Sequence, residues 1–303
     1  MSIKVCFLSD VHPIFDDRIY WKEALSLKKH GYDIYFISMD NDSDNEGKTK
    51  EGIKFIKIKR KIYFKNRILN KIYKILFQKE FHHEIFKHAK KVNADIYHSH
   101  NINILHILDK LKKFSTNPKI IHCIRESYPD MIRDYKETKG FNTLFKNIYA
   151  RYIEMWEIKK IKNTDYLITI DDAGYEKFSR YKQDKNIELI YNFSTNFMEN
   201  KDSKNREYDL IYVGGISEVR GIIKIVEAVS IAKKRINKIK VLFIGKIYNS
   251  LLKDKLIKKI KSLSLEKNVF IKDPVPHKEI DKFLTNSRIG IVTLLPIPKF
   301  YKN

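Results

Sequence analysis

Residues 210–221 read LIYVGGISEVRG. An apolar, β-branched run ends at Val213, two glycines follow, and Gly221 precedes a segment with helical apolar spacing. A strand that passes through glycines into a helix is the recurring joint of a doubly wound α/β sheet. Glycine at such a joint lets an anion approach the backbone N–H groups and the helix N-terminus. Arg220 adds a fixed charge able to grip two phosphate oxygens at once. The spacing is neither Gly-x-Gly-x-x-Gly nor a Walker loop, so a simple dinucleotide or triphosphate motif does not account for it.

Downstream the alternation continues. Strands are predicted at 239–244, 268–272 and 289–294, with helices at 221–236, 249–264 and 278–285 between them. Leu252, Leu256, Ile260 and Leu263 form the buried stripe of the second helix. Upstream, the polar stretch STNFMENKDSKNRE (194–207) reads as a linker. Before it, short β-branched and aromatic runs at 3–9, 33–38, 53–58, 95–99, 119–124, 166–170 and 187–191 alternate with helical patterns near 16–30, 68–91, 102–113, 141–162 and 171–181. The first helix opens on Asp16 and Asp17, buries Tyr20, Ala24 and Leu27, and ends in Lys28, Lys29 and His30 before Gly31. The expectation is two doubly wound Rossmann-type domains, 1–193 and 208–303, the second carrying only four strands and so incomplete and marginally stable.

Composition narrows the function. The 303 residues carry a formal charge of +23, and 43% are hydrophobic, enough to bury two cores and to exclude general disorder. Cys6 and Cys123 stand far apart in apolar runs, which excludes a disulfide scaffold or a thiolate zinc cage. No run reaches the ~20 apolar residues of a membrane span, and the start lacks a signal peptide, so a cytoplasmic protein is expected. Residues 54–79 hold ten Lys/Arg and no acid. Within them Ile68, Leu69, Ile72, Ile75 and Leu76 make an apolar stripe beside Lys65, Arg67, Lys71 and Lys74, so 65–76 suits an anionic membrane surface. No zinc-finger or RNA-recognition signature accompanies the charge, and nucleic acid is not the expected partner.

In order and spacing the segments resemble glycosyltransferase family 4, the retaining GT-B sugar transferases. LIYVGGISEVRG is similar to the family's donor-phosphate loop, Val-Gly-Arg-x-x-x-x-Lys-Gly, with Arg220 in the place of the lysine and Gly215 in that of the arginine. VHPIFDDRIYWKEALSLKKHGYDIYFIS (11–38) resembles the first loop, helix and second strand, and ADIYHSHN (94–101) the Asp-x-x-His-x-His strand. KNTDYLITIDDAGYEKF (162–178), IELIYNFS (187–194), KVLFIGK (240–246) and KNVFIKDPVPHKEIDKFLTNSRIGIVTLLP (267–296) continue the likeness over nearly the whole chain.

The resemblance implies a nucleotide-diphosphate sugar held by the second domain and a glycan or lipid-linked acceptor held by the first, across an interdomain cleft. It implies retention, no cofactor and no obligatory metal. Donor candidates are Gly214, Gly215, Ser217 and Arg220. Acceptor candidates are His12, Asp17 and Arg18, and catalytic candidates are His100, Arg125 and Glu126. Arg125 stands where the family carries a histidine, and arginine cannot be a general base, so an anion-holding role is expected of it. The family's Glu-x7-Glu region follows the strand represented by IGIVTLLP and is not reached before Asn303. A truncated, non-catalytic binding module is therefore a standing alternative, with a GT-B-fold sugar-nucleotide epimerase and a nucleic-acid binder behind it.

Two metal patterns fail on inspection. Asp40, Asp42, Asp44 and Glu51 match calcium-loop positions, but Asn45 replaces the required glycine and the flanks read as strands, so 40–51 is taken as a solvated loop. His98 and His100 share one face of a strand without further ligands in register.

Overall fold

The computed structural model describes residues 2–40, 44–59, 82–114, 117–134, 141–182, 184–193, 206–247 and 249–295. The stripe at 65–76 and all but the last two residues of the expected linker lie outside them. The chain divides into two compact units, Met1–Thr195 and Asn196–Tyr301.

In the first unit β1 (Lys4–Ser9) leads into a π-wound turn, Ile19–Ala24, and then α1 (Leu25–Lys29). β2 (Asp33–Asp40), β3 (Asn45–Lys48) and β4 (Lys54–Lys59) follow, then α2 (His83–Val92), β5 (Ile96–Ser99), α3 (Leu105–Phe114) and β6 (Lys119–Ile124). The unit closes with α4 (Tyr128–Asp134), α5 (Phe141–Ile161), β7 (Tyr166–Thr169), α6 (Asp172–Ser179) and β8 (Ile187–Leu189). Among the described residues the strands form one sheet in the order β3-β4-β2-β1-β5-β6-β7-β8, parallel except for β3 against β4. The chain starts in the middle and winds outward both ways, so the order reverses between β1 and β5.

β1 shows why its residues read as an unbroken apolar run. Val5 and Phe7 face one core with Ile19, Tyr20, Ala24 and Phe36, while Cys6 and Leu8 face the other with Ile85, Tyr97 and Leu108. Both faces are covered, as parallel sheets require. The acidic segment is corrected in part: Asn45–Lys48 is an exposed edge strand rather than loop, and Glu51 accepts a hydrogen bond from Tyr20 Oη at 2.6 Å. Its carboxylate is thereby tied to a helix side chain.

The second unit carries β9 (Tyr208–Val213), α7 (Ile222–Ala232), β10 (Val241–Ile244), α8 (Ser250–Ser262), β11 (Val269–Lys272), α9 (His277–Thr285) and β12 (Ser287–Gly290). The sheet order β11-β10-β9-β12 reverses between β9 and β12. β12 ends earlier than the apolar run predicts. Residues beyond it bond the glycine loop instead: Thr293 Oγ1 donates to Arg220 O at 2.6 Å, and Leu295 N–H donates to Val219 O at 2.8 Å.

One backbone crossing fixes that loop. Gly214 N–H donates to Ile244 O, and Gly245 lies so close that a Cβ on it would stand 1.8 Å from Gly214 O. Gly245 also holds φ at +159°. Gly245→Ala should therefore push the two strand ends apart, costing about 2–4 kcal/mol. The expected readout is a lowered far-UV circular dichroism transition with an unchanged tryptophan fluorescence transition, because both tryptophans, Trp21 and Trp156, belong to the first unit.

Candidate functional site

Ligands of doubly wound folds settle at the carboxyl ends of the strands where the order reverses. Both units place polar groups there. In the first unit Ser9, at the end of β1, donates from Oγ to Asn101 Oδ1 at 3.0 Å, across to the segment after β5. The same Oγ accepts from the His12 N–H at 2.8 Å, which turns the loop back over the strand end. Asp16 then caps the coming helix, its Oδ1 accepting from the N–H groups of Arg18 (3.0 Å) and Ile19 (2.9 Å).

The π winding has a chemical result. Glu23 N–H reaches back five residues to Arg18 O at 3.0 Å, which stacks the side chains of Arg18 and Glu23 over one another. Arg18 Nε donates to Glu23 Oε1 at 2.7 Å, and Arg18 Nη2 donates to Ile190 O beyond β8. The other Glu23 oxygen lies 2.6 Å from His100 Nε2 and 4.0 Å from His98 Nδ1. The two histidine rings stack at 4.4 Å, as expected of alternate residues on one strand face. Burial opposes ionisation of Glu23, but the charge and hydrogen bond of His100, with His98 and Arg18, hold its carboxyl well below the usual range. Burial also keeps His98 neutral, lowering it to about 3, and does the same to His122, which pairs with Ser99 Oγ at 2.7 Å.

Cys123 completes a trio with Glu23 and His100 whose donor atoms lie within 4.8 Å of one another. It does not fit a cation. The Arg18 guanidinium already occupies Glu23, and burial pushes the Cys123 thiol up to about 12, so it stays protonated at neutral pH.

Arg125 sits at the end of β6 in a second, more open cluster. Its Nη1 lies 3.3 Å from both Asp16 Oδ1 and His12 Nε2, and His12 Nδ1 lies 3.0 Å from Asp16 Oδ2. Burial raises Asp16, but the His12 hydrogen bond, the Ile19 N–H and the Arg125 charge outweigh it and keep the group ionised. Beside this cluster lies a cavity of about 570 Å³, lined by Arg125, Glu126, Arg133, Asp171, Lys177 and Arg180 among others. Arg133 is engaged by Asp130 and Glu154 at 2.8 and 2.9 Å. Glu126 is exposed and makes no hydrogen bond or ion pair among the described residues.

The candidates of the first unit thus separate. His12 and Arg125 come together on Asp16. Arg18 and His100 are joined by Glu23 in the interior, where the His100 side chain has no exposure. Asp17 is exposed and its side chain bonds to neither cluster among the described residues. Sequence reasoning missed Glu23 and Asp16 as organising acids. The signal for Glu23 was the His98/His100 pair, which needs an acid once buried; the winding that delivers it carries no sequence mark.

In the second unit the glycine loop lies at the reversal between β9 and β12. Ile216 N–H donates to Lys246 O, Tyr212 Oη donates to Gly215 O at 2.9 Å, and Ser217 precedes a short 3-10 turn, Glu218–Arg220. Gly221, at φ +66°, then starts α7. Among the described residues the N–H groups of Gly215 and Ser217 have no protein acceptor, and the exposed Arg220 side chain has no hydrogen bond or ion pair. Gly215, Ser217 and Arg220 thus bring free donors to one turn, while the Gly214 N–H is taken by Ile244 O.

Comparison with known proteins agrees with this layout. Residues 21–193 match the model of Glycosyltransferase Family 4, and residues 193–295 match that of Glycosyl transferases group 1. Sucrose-phosphate synthase from Thermosynechococcus elongatus superposes with a TM-score of 0.66 at 11% identity, over 96% of this chain and 75% of that one. HepE from Anabaena in complex with UDP-glucose gives 0.63 at 10% identity, over 98% and 75%. A glycosyltransferase from Rickettsia africae gives 0.56 at 17%, over 97% and 73%. No curated protein matches the sequence. The fold is that of the GT-B glycosyltransferases. The chain belongs to Glycosyltransferase Family 4, whose model covers more than half of it.

The buried carboxylate supplies a test. Glu23→Gln leaves Arg18 and two imidazoles around a neutral amide and should lower the stability of the first unit by about 3 kcal/mol at pH 7. Because the folded pKa is depressed, the difference from wild type should hold from pH 8 to about 5 and narrow as pH falls below the ordinary carboxylate range. Urea unfolding followed by tryptophan fluorescence measures it, and a loss below about 1 kcal/mol at pH 7 would contradict the assignment.

Proposed function

We propose that the chain transfers a sugar from a nucleotide-diphosphate donor to a glycan or lipid-linked acceptor, with retention, in surface polysaccharide or glycolipid synthesis. The observation that carries this reading is the turn at 214–221, where the Gly215 and Ser217 amides and the Arg220 guanidinium lie within six residues of one another without protein partners among the described residues. Oxygen-rich dianions are what such donors recognise. Family membership and the UDP-glucose in the HepE structure support a diphosphate sugar as that anion.

In this reading Arg220 and the two amides hold the diphosphate. They stabilise the charge that grows on it as the bond from the anomeric carbon to the phosphate oxygen breaks, with the start of α7 adding to the field. The acceptor oxygen bonds the anomeric carbon on the face the diphosphate leaves, which conserves the configuration. The acceptor proton passes to the departing phosphate oxygen. No metal is required, because the guanidinium and amides meet the charge. On the first unit Arg125, steadied by Asp16 and His12, binds an anionic part of the acceptor, and Glu126 meets acceptor hydroxyls in the adjoining cavity. Arg18 and His100 keep that edge in shape through Glu23.

Titration calorimetry with UDP and UMP tests the donor site. Wild type should prefer UDP by about tenfold or more, and Arg220→Ala should remove most of that preference, since a charge-assisted contact contributes about 1.5–3 kcal/mol. Equal binding of the two nucleotides by wild type, or an unchanged preference in Arg220→Ala, would overturn the assignment.

A further inference from the structure

The helix α5 buries one side and leaves the other bare. Ala150 and Ile161 are fully buried, and Ile153 and Trp156 pack on the core of the first unit. At 100° per residue, Leu144, Ile148, Tyr152 and Met155 fall on the opposite side, 60%, 57%, 61% and 62% exposed, while Tyr149, 44% exposed, lies on its flank beside Trp156. Arg151 and Lys159 are exposed on the same side. Both acids of the helix turn inward: Glu154 pairs with Arg133 and Lys177, and Glu157 is 1% exposed. The outward face is therefore apolar and aromatic, with cations and no carboxylate.

We propose that this face seats the protein on an anionic lipid bilayer. Tyrosine rings and aliphatic tips are the groups that settle at a headgroup boundary, and Arg151 and Lys159 are placed to meet lipid phosphates. Charge decides against a second copy as the occupant. A symmetric pair would set this face against itself, bringing the cations of both copies together with no acid to meet them. Among the described residues no helix is long and apolar enough to cross a membrane, so the contact lies along the surface. The proposal is independent of the donor and acceptor chemistry above.

Co-sedimentation of the full chain with vesicles tests it. Phosphatidylcholine vesicles containing phosphatidylglycerol should bind at least about tenfold more tightly than phosphatidylcholine alone. Ile148→Glu/Tyr152→Glu and, separately, Arg151→Glu/Lys159→Glu should each weaken anionic binding by about tenfold or more. Lys234→Glu/Lys238→Glu, exposed in the second unit and equal in charge change to the second variant, should weaken it by less than about threefold. Circular dichroism should show every variant folded, as all four residues of the face are exposed; should the apolar-face variant fail to fold, the charge variant decides. The proposal fails if anionic vesicles do not bind, or if the second-unit variant loses as much as the face variants. It fails equally if light scattering shows a lipid-independent dimer that the face variants dissolve.

Discussion

The Glu23 carboxylate lies in the interior of the first unit with Arg18 on one oxygen and His100 on the other. An ionised group can remain there only if every side of it is answered, and it draws its answers from three places in the chain. Arg18 comes from the same π turn, the two histidines from β5, and Arg18 in turn reaches the backbone after β8. Pulling these elements onto one charge sets where the loop after β1 returns. That return brings Asp16 beside Arg125 at the open edge of β6. The interior cluster thus shapes the rim from behind.

The second unit uses steric rather than electrostatic means. At Gly245 two strand ends approach closer than a side chain there permits, and the segment after β12 leaves the sheet to bond Val219 and Arg220. With its carbonyls tied down on that side, the loop presents N–H groups on the other. Fixed donors reorganise little when charge develops on a ligand, which is why such a turn is suited to a leaving diphosphate.

Much of this was legible beforehand. β6 and β9 begin and end where their β-branched runs do, because strands covered on both faces read as continuous apolar segments. The stripe of Leu252, Leu256 and Ile260 faces the core as its spacing requires. The failures have physical causes. β3, NEGK, carries no apolar residue because an exposed edge strand needs none. α4 is short and starts at Tyr128-Pro129, where proline fits the first turn of a helix yet reads as a breaker. β12 falls short of its run because Thr293 and Leu295 serve the glycine loop. In the candidate site, residue types at strand ends were visible, but which of them are enclosed depends on the π winding that turns Glu23 inward, and neighbouring residues do not encode it in any simple period.

The proposed transfer depends on the free donors of the 214–221 turn acting as a diphosphate cradle. A crystal structure of the protein with UDP tests this directly. Diphosphate oxygens should lie within hydrogen-bond distance of the Gly215 and Ser217 N–H groups and of the Arg220 guanidinium. A diphosphate bound elsewhere, with Arg220 still unengaged, would contradict it.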